Sequence, residues 1–176
     1  TSMKLPKLRL IGFVFKCKIL FCRIYSPFID NTVFTNLGRY GLGVKVAIID
    51  SGYTLEANGP VEAAENFTTA VTTEDTLGHG SVVITLIKTY APAAKLYSAK
   101  VSINDNDIDE EYVYRALNWI RSLDNVRIIN MSIGIERNCQ GLCNLSRVIN
   151  KMSDQGYIIV TAVGEHRWYD SLSCMF

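Results

Sequence analysis

Short β-branched runs alternate with helix-patterned stretches along this chain, and that alternation restricts the fold more than any other feature. "VKVAIID" (Val44–Asp50), "KLYSAKV" (Lys95–Val101), "VRIINMSIG" (Val126–Gly134) and "YIIVTAVG" (Tyr157–Gly164) read as strands. A shorter strand is expected at Asn66–Val71. The first run has the composition of a strand buried on both faces. Between the runs, Gly78–Tyr90 reads as a helix stopped near Pro92. "NDNDIDEEYVYRALNWIRSL" reads as a second, with Val113, Leu117 and Ile120 on one face and acids at its start, where they complement the helix dipole. "LSRVINKMSDQG" reads as a third, ending at Gly156. Strand and helix in strict turn predict an α/β fold: a three-layer, doubly wound parallel sheet with helices on both faces.

Length and charge narrow the classes. At 176 residues the chain has the size of one domain. A net charge of +1 argues against a surface built for nucleic acid or an anionic membrane. Five cysteines, an odd number unevenly spread, do not make a secreted disulfide framework, so a cytoplasmic setting is expected, with secretion as the alternative. Cys17 with Cys22 and Cys139 with Cys143 lack zinc-knuckle spacing and read as free or buried thiols. Lys16 and Lys18 cut the apolar run off after Leu10–Phe15, which is too short for a signal core or a membrane span. Residues 1–40 are therefore expected to be an apolar and basic segment packing on or extending the domain. Residues 41–165 form the domain, and 166–176 a tail.

In such a sheet, function gathers where strands end and helices begin. That edge should hold Asp50-Ser51-Gly52, the turn after Val101, Ser132-Ile133-Gly134 and Gly164-Glu165. His79, in "DTLGHGSVV", opens a helix on the same side. A carboxylate at a strand tip can fix one tautomer of a neighbouring imidazole and stabilise the imidazolium that forms on proton uptake. Gly78 and Gly80 are expected to let the backbone approach closely there. Asp105, Asp107 and Asp109 alternate as in calcium loops but lack the glycine and the distal glutamate of such loops, so they read as helix-capping acids. No metal or other cofactor is expected. Trp119 reads as core, Trp168 as a docking residue in the tail, and His166 as solvent-facing.

"GVKVAIIDSG", "GHGSVV", "AKLYSAKV", "INMSIG" and "GYIIVTAVG" occur in the order found in subtilisin-like serine proteases (peptidase S8). The chain resembles that family from about Gly41 to Glu165. The resemblance implies that Asp50 is the orienting acid and His79 the general base. It also implies that Ser132, Ile133 and Gly134 pair with an extended peptide substrate, as an added strand does. The family's chain order is Asp, His, then Ser.

Three departures accompany the resemblance. The family's Gly-Thr-Ser-x-Ala-x-Pro serine block, which belongs well beyond the last strand, is not found there. Glu165 stands where the family usually has the Asn that donates into the oxyanion hole. Val82, Ile84 and Thr85 stand where His, Ala and Gly are common. Ser2 is a candidate substitute nucleophile, because "TSMKLP" repeats the Thr-Ser-Met-x-x-Pro spacing at the opposite end of the chain. The resulting expectation is an endopeptidase domain that keeps Asp and His, is inactive alone, and is completed by a protein partner. The alternative is a degenerate pseudopeptidase that binds peptides or proteins. An open sheet edge would also favour a homo-oligomer, unless residues 5–37 cover it.

Overall fold

The structure is a computed structural model and describes residues 40–104, 108–134 and 144–161. The expectations for the N-terminal segment with Ser2, both cysteine pairs, Asp105, Asp107, Glu165, His166 and Trp168 lie outside those residues.

The elements in chain order are β1 (Lys45–Asp50), α1 (Leu55–Asn58), β2 (Ala63–Asn66), α2 (His79–Tyr90), β3 (Lys95–Lys100), α3 (Glu110–Ser122), β4 (Ile128–Met131), α4 (Asn144–Asp154) and β5 (Ile158–Thr161). The strands form one parallel sheet in the order β2-β3-β1-β4-β5.

The alternation within β1 makes the three layers. Ala47 and Ile49 point to one face, into a core with Ala99, Ile129, Met131 and the α3 and α4 side chains Val113, Leu117, Ile120, Leu145 and Met152. Val46 and Ile48 point the other way, onto Val83 and Ile84 of α2 and Leu96 of β3. Successive strand residues alternate faces, so a run apolar at every position needs cover on both sides. Burying a Leu or Ile completely contributes about 1.5–3 kcal/mol, so these two clusters hold the layers together. Asp109 starts α3 by accepting a hydrogen bond from Glu111 N at 2.8 Å. That is the N-cap role expected of one of the alternating acids. Trp119 is partly buried at the rim of the larger core, its ring centroid 5.9 Å from that of Phe67.

Four expectations need correction. The second strand is Ala63–Asn66, not Asn66–Val71. Asn66 folds its side chain over the next residues instead: Thr68 N donates to Asn66 Oδ1 at 2.9 Å, and Ala70 N to Thr68 Oγ1 at 3.1 Å. Such side-chain turns satisfy backbone groups that a ladder would otherwise use. The strand expected at Val126–Gly134 pairs only over Ile128–Met131. The helix expected from Asn104 begins at Glu110, after its Asp109 cap. Finally, Gly78 is needed for its backbone angle, φ 84°, because a Cβ there would meet nothing within 4 Å. No residue with a side chain adopts that conformation readily.

Candidate functional site

Parallel strands place all their C-terminal tips on one edge. The connection leaving β1 runs to α1, which sits against α2 on one face, whereas the connection leaving its neighbour β3 runs to α3 on the other. In open parallel sheets such a divergence is where a ligand crevice forms, and Asp50 lies at that tip of β1. Asp50 is 1 % exposed. Its Oδ1 lies 2.8 Å from His79 Nδ1 and also accepts from Ser51 N at 2.8 Å. The His79 ring is held at its buried end, while its side chain stays 41 % exposed. An imidazole so placed can accept a proton from something in the crevice while the carboxylate steadies the charge it gains.

Glycine is what lets α2 deliver His79 to this tip. A Cβ on Gly80 would sit 2.3 Å from Gly52 O and 3.3 Å from Asp50 Cβ. The first turn of α2 thus presses directly on the turn that follows β1. Gly78 takes the N-cap position but has no side chain to cap with. An upstream acid does that work. Asp75 Oδ1 accepts from Gly78 N at 2.8 Å and Leu77 N at 3.1 Å, and its Oδ2 accepts from Ser81 N at 2.8 Å. Ser51 Oγ lies 2.8 Å from the same Oδ1 and accepts from Gly80 N at 3.0 Å. Burial pushes the Asp75 carboxyl up, but the hydrogen bonds from Ser81, Ser51 and Gly78 outweigh it and hold the group below the ordinary carboxylate range.

Two further residues brace the site. Lys100, at the tip of β3 and in register with Asp50, is 1 % exposed and donates from Nζ to the Glu74 carbonyl. Asn58, closing α1, accepts from Thr54 N at 3.0 Å and donates to Ser81 O at 2.8 Å and Thr85 Oγ1 at 3.1 Å. Asn58 therefore ties the loop after β1 to the first turns of α2. It also explains one departure: Thr85 replaces a small residue because its hydroxyl is engaged by Asn58. Ile84 fills the core completely, whereas Val82 is 49 % exposed.

Of the residues singled out from sequence, Asp50 and His79 are brought into direct contact. Ser132, Ile133 and Gly134 follow β4 on the same edge; since Ile48 pairs with Asn130, Ser132 stands level with Asp50. Asn130 Nδ2 donates to Ser132 Oγ at 2.9 Å, and Ile133 packs against the larger core. Sequence reasoning passed over Asp75, Asn58 and Lys100, and placed Ser51 at the sheet edge without giving it a role. The one available signal was an acid three residues before a glycine N-cap that cannot cap itself. Among the described residues, no group of three His, Cys, Asp or Glu side chains could hold a metal, and no helix is long and apolar enough to cross a membrane.

The sequence model of the subtilase family, peptidase S8, matches residues 41–173. The chain belongs to the subtilase family. It is 27 % identical over 147 residues to the thermostable alkaline protease of Halalkalibacterium halodurans, an alignment covering 78 % of this chain and 40 % of that protein. It is 29 % identical over 141 residues to subtilisin E of Bacillus subtilis, covering 72 % of this chain and 35 % of that protein. The crystal structure of MycP1 with its N-terminal propeptide removed shares the fold at a TM-score of 0.64 and 22 % identity, over 79 % of this chain and 48 % of MycP1. The chain thus spans less than half the length of these subtilase relatives. The domain is a subtilisin-like peptidase domain, and its α/β sheet is the one the family uses.

Proposed function

We propose that this chain supplies the acid and the base of a subtilisin-like serine endopeptidase. His79 takes the proton of an attacking serine hydroxyl on Nε2 while Asp50 holds Nδ1. The imidazolium so formed faces the Asp50 carboxylate, then returns the proton to the departing amine of the cleaved peptide. Ser132–Gly134, level with Asp50 on the same edge, receives the substrate as an extended strand. The observation that carries this reading is the 2.8 Å contact between Asp50 Oδ1 and His79 Nδ1 at the sheet edge of a subtilase-family domain. The nucleophile comes from outside the described residues, through a further polypeptide segment or a partner chain; the two serines that neighbour the pair in sequence are otherwise engaged. Ser51 Oγ is turned to Asp75, and Ser81 Oγ to Thr54 Oγ1 at 3.2 Å.

A fluorophosphonate probe tests this. The 176-residue chain alone should stay unlabelled, and labelling should appear on the added serine-bearing polypeptide and disappear with His79→Ala. Labelling of Ser2 in the chain by itself would show instead that the nucleophile is already present. A second reading, a peptide-binding pseudopeptidase, is favoured by one feature: Glu165 replaces an oxyanion donor with a carboxylate that would repel the developing charge. Saturable peptide binding with no labelling in any combination would establish that reading over the first.

A further inference from the structure

Asp50 Oδ1 is the atom on which His79 depends, and a third donor stands beside it. Ser51 Oγ lies 3.2 Å from Asp50 Oδ1 and 2.8 Å from Asp75 Oδ1. The hydroxyl has one proton and two carboxylates within reach. A length of 2.8 Å is ordinary for a hydroxyl donor, and 3.2 Å lies beyond the usual range. The Ser51 oxygen also accepts from Gly80 N, so one lone pair is already directed at α2. Ser51 is 2 % exposed and Asp75 9 %, so bulk water does not compete freely at this junction.

We propose that Asp75 is a positioning residue for the Asp50–His79 pair: it holds the Ser51 hydroxyl proton and so leaves Asp50 Oδ1 to His79. Its value for catalysis rests on the peptidase reading above; its geometry does not. Because hydrogen bonds keep the Asp75 carboxyl below the ordinary range, it remains ionised wherever an imidazole titrates. Remove its charge, and the competition reverses. An amide oxygen is a weaker acceptor than an ionised carboxylate, so the Ser51 proton swings to Asp50. Asp50 then gives less to the imidazolium, and His79 loses its proton at lower pH. The lost negative charge of Asp75 acts in the same direction. Only the Ser51 hydroxyl separates the two causes. Among the described residues, Lys100 on β3 is in register with Asp50, its Nζ on the carbonyl of Glu74, and the Glu74 and Glu56 side chains are exposed; all stay unchanged in the variants below.

Long-range 15N–1H spectra of the full chain, followed from about pH 4.5 to 9, read the His79 midpoint directly. The chain has two histidines, and His166→Gln assigns them. Asp75→Asn should lower the His79 midpoint by about half a pH unit or more, roughly threefold in proton affinity. Ser51→Ala alone should leave it within about 0.2, because the hydroxyl was not donating to Asp50. In the Ser51→Ala background, the effect of Asp75→Asn should shrink by about half or more. An equal fall with and without the hydroxyl would reduce Asp75 to a distant charge and overturn the proposal, as would no fall at all. A rise in Ser51→Ala would overturn it too, by showing the proton on Asp50 from the start; that variant decides the matter by itself if Asp75→Asn does not keep the native spectrum. None of these readings needs turnover. A chain that passes them yet cleaves nothing, with any partner, refutes the peptidase reading and leaves the positioning role standing.

Discussion

Each end of β1 carries a pair of opposite charge type. At the N-terminal end, Lys45 Nζ lies 3.2 Å from Asp124 Oδ2; at the C-terminal end, His79 Nδ1 lies 2.8 Å from Asp50 Oδ1. The acids differ most: the Asp124 side chain is 96 % exposed and that of Asp50 2 %. Water and salt screen the first pair, and its long lysine must give up rotamer freedom to make it. The second is fixed by backbone: Ser51 N donates to Asp50, and α2 is pressed onto the turn after β1. A shared strand and similar distances therefore do not make equivalent contacts. A charge pair becomes available for chemistry when packed backbone, not solvent, sets its geometry.

The sharpest way to break the upper end is to remove Asp75. Asp75→Ala strips the cap from α2, leaves Leu77, Gly78 and Ser81 N–H groups without their acceptor and frees Ser51. Chemical denaturation at neutral pH should show a loss of about 3 kcal/mol. The loss should depend on pH in a defined direction. The folded chain holds this carboxyl below its unfolded value, so its stabilisation is complete above about pH 4 and is lost as pH falls through the lower folded value. Wild type and variant should therefore converge in acid. A gap that stayed constant down to pH 2 would show that the ionised carboxylate is not what stabilises this end.

Gly80→Ala comes next. Helix propensity favours alanine by about 1 kcal/mol. Overlap with Gly52 O at 2.3 Å opposes it, and because the obstacle is backbone it cannot rotate away. Overpacking of this kind costs about 1–3 kcal/mol or more, so the net effect should be destabilising by about 2 kcal/mol. The same change should lengthen the His79–Asp50 contact, because it pushes the first turn of α2 away from the turn after β1. Stabilisation by alanine would mean that α2 does not press on the β1 turn.

How much of this was legible follows from what each signal depends on. The β1, β3 and β5 runs were readable because β-branched residues in short bursts have few other uses. The contact between Asp50 and His79 was readable because a strand tip and a helix start of a parallel sheet fall on one edge. β2 was misplaced because "NFTTAV" has stronger strand composition than "AAEN", yet the Asn66 and Thr68 side chains turn the chain away while the alanines pair with β3. Edge strands with weak composition are chosen by their neighbours, not by propensity. Asp75, Asn58 and Lys100 were not legible as site residues because the contacts that tie them to the site, to Ser51, Ser81, Thr85 and Glu74, span 23 to 27 positions. No local pattern encodes such partners. Even Gly78, correctly singled out, was assigned close approach when its backbone angle was the cause.

Asn58→Ala probes how the site is tied to the strand layer. Its amide links Thr54 N to Ser81 O and Thr85 Oγ1, and Asn58 is 6 % exposed. Losing three bonds from a buried amide should cost about 1–2 kcal/mol, read as a lower urea midpoint with an unchanged slope. Hydrogen exchange should accelerate at Thr54 and in the first turn of α2 more than in α3, because α3 packs on the opposite face. Uniform acceleration would mean that the two faces unfold as one unit and that the Asn58 link has no local role.

The smallest effect is expected at the other end of β1, and it bears most directly on the contrast between the two tips. Lys45→Met removes the Asp124 ion pair and the bond from Nζ to Asp124 O at 2.7 Å while keeping a long apolar stem. Stability should fall by less than about 1 kcal/mol, and the difference from wild type should shrink further in about 1 M salt, where the screening length is about 3 Å. The His79 midpoint should not respond to this change, because the strand separates the tips and the intervening core carries no charge to relay it. The same salt should move that midpoint little, since Asp50 is buried away from mobile ions. If salt shifted both ends alike, the Asp50–His79 contact would be a solvated surface pair like the other, and backbone packing would no longer distinguish the two tips.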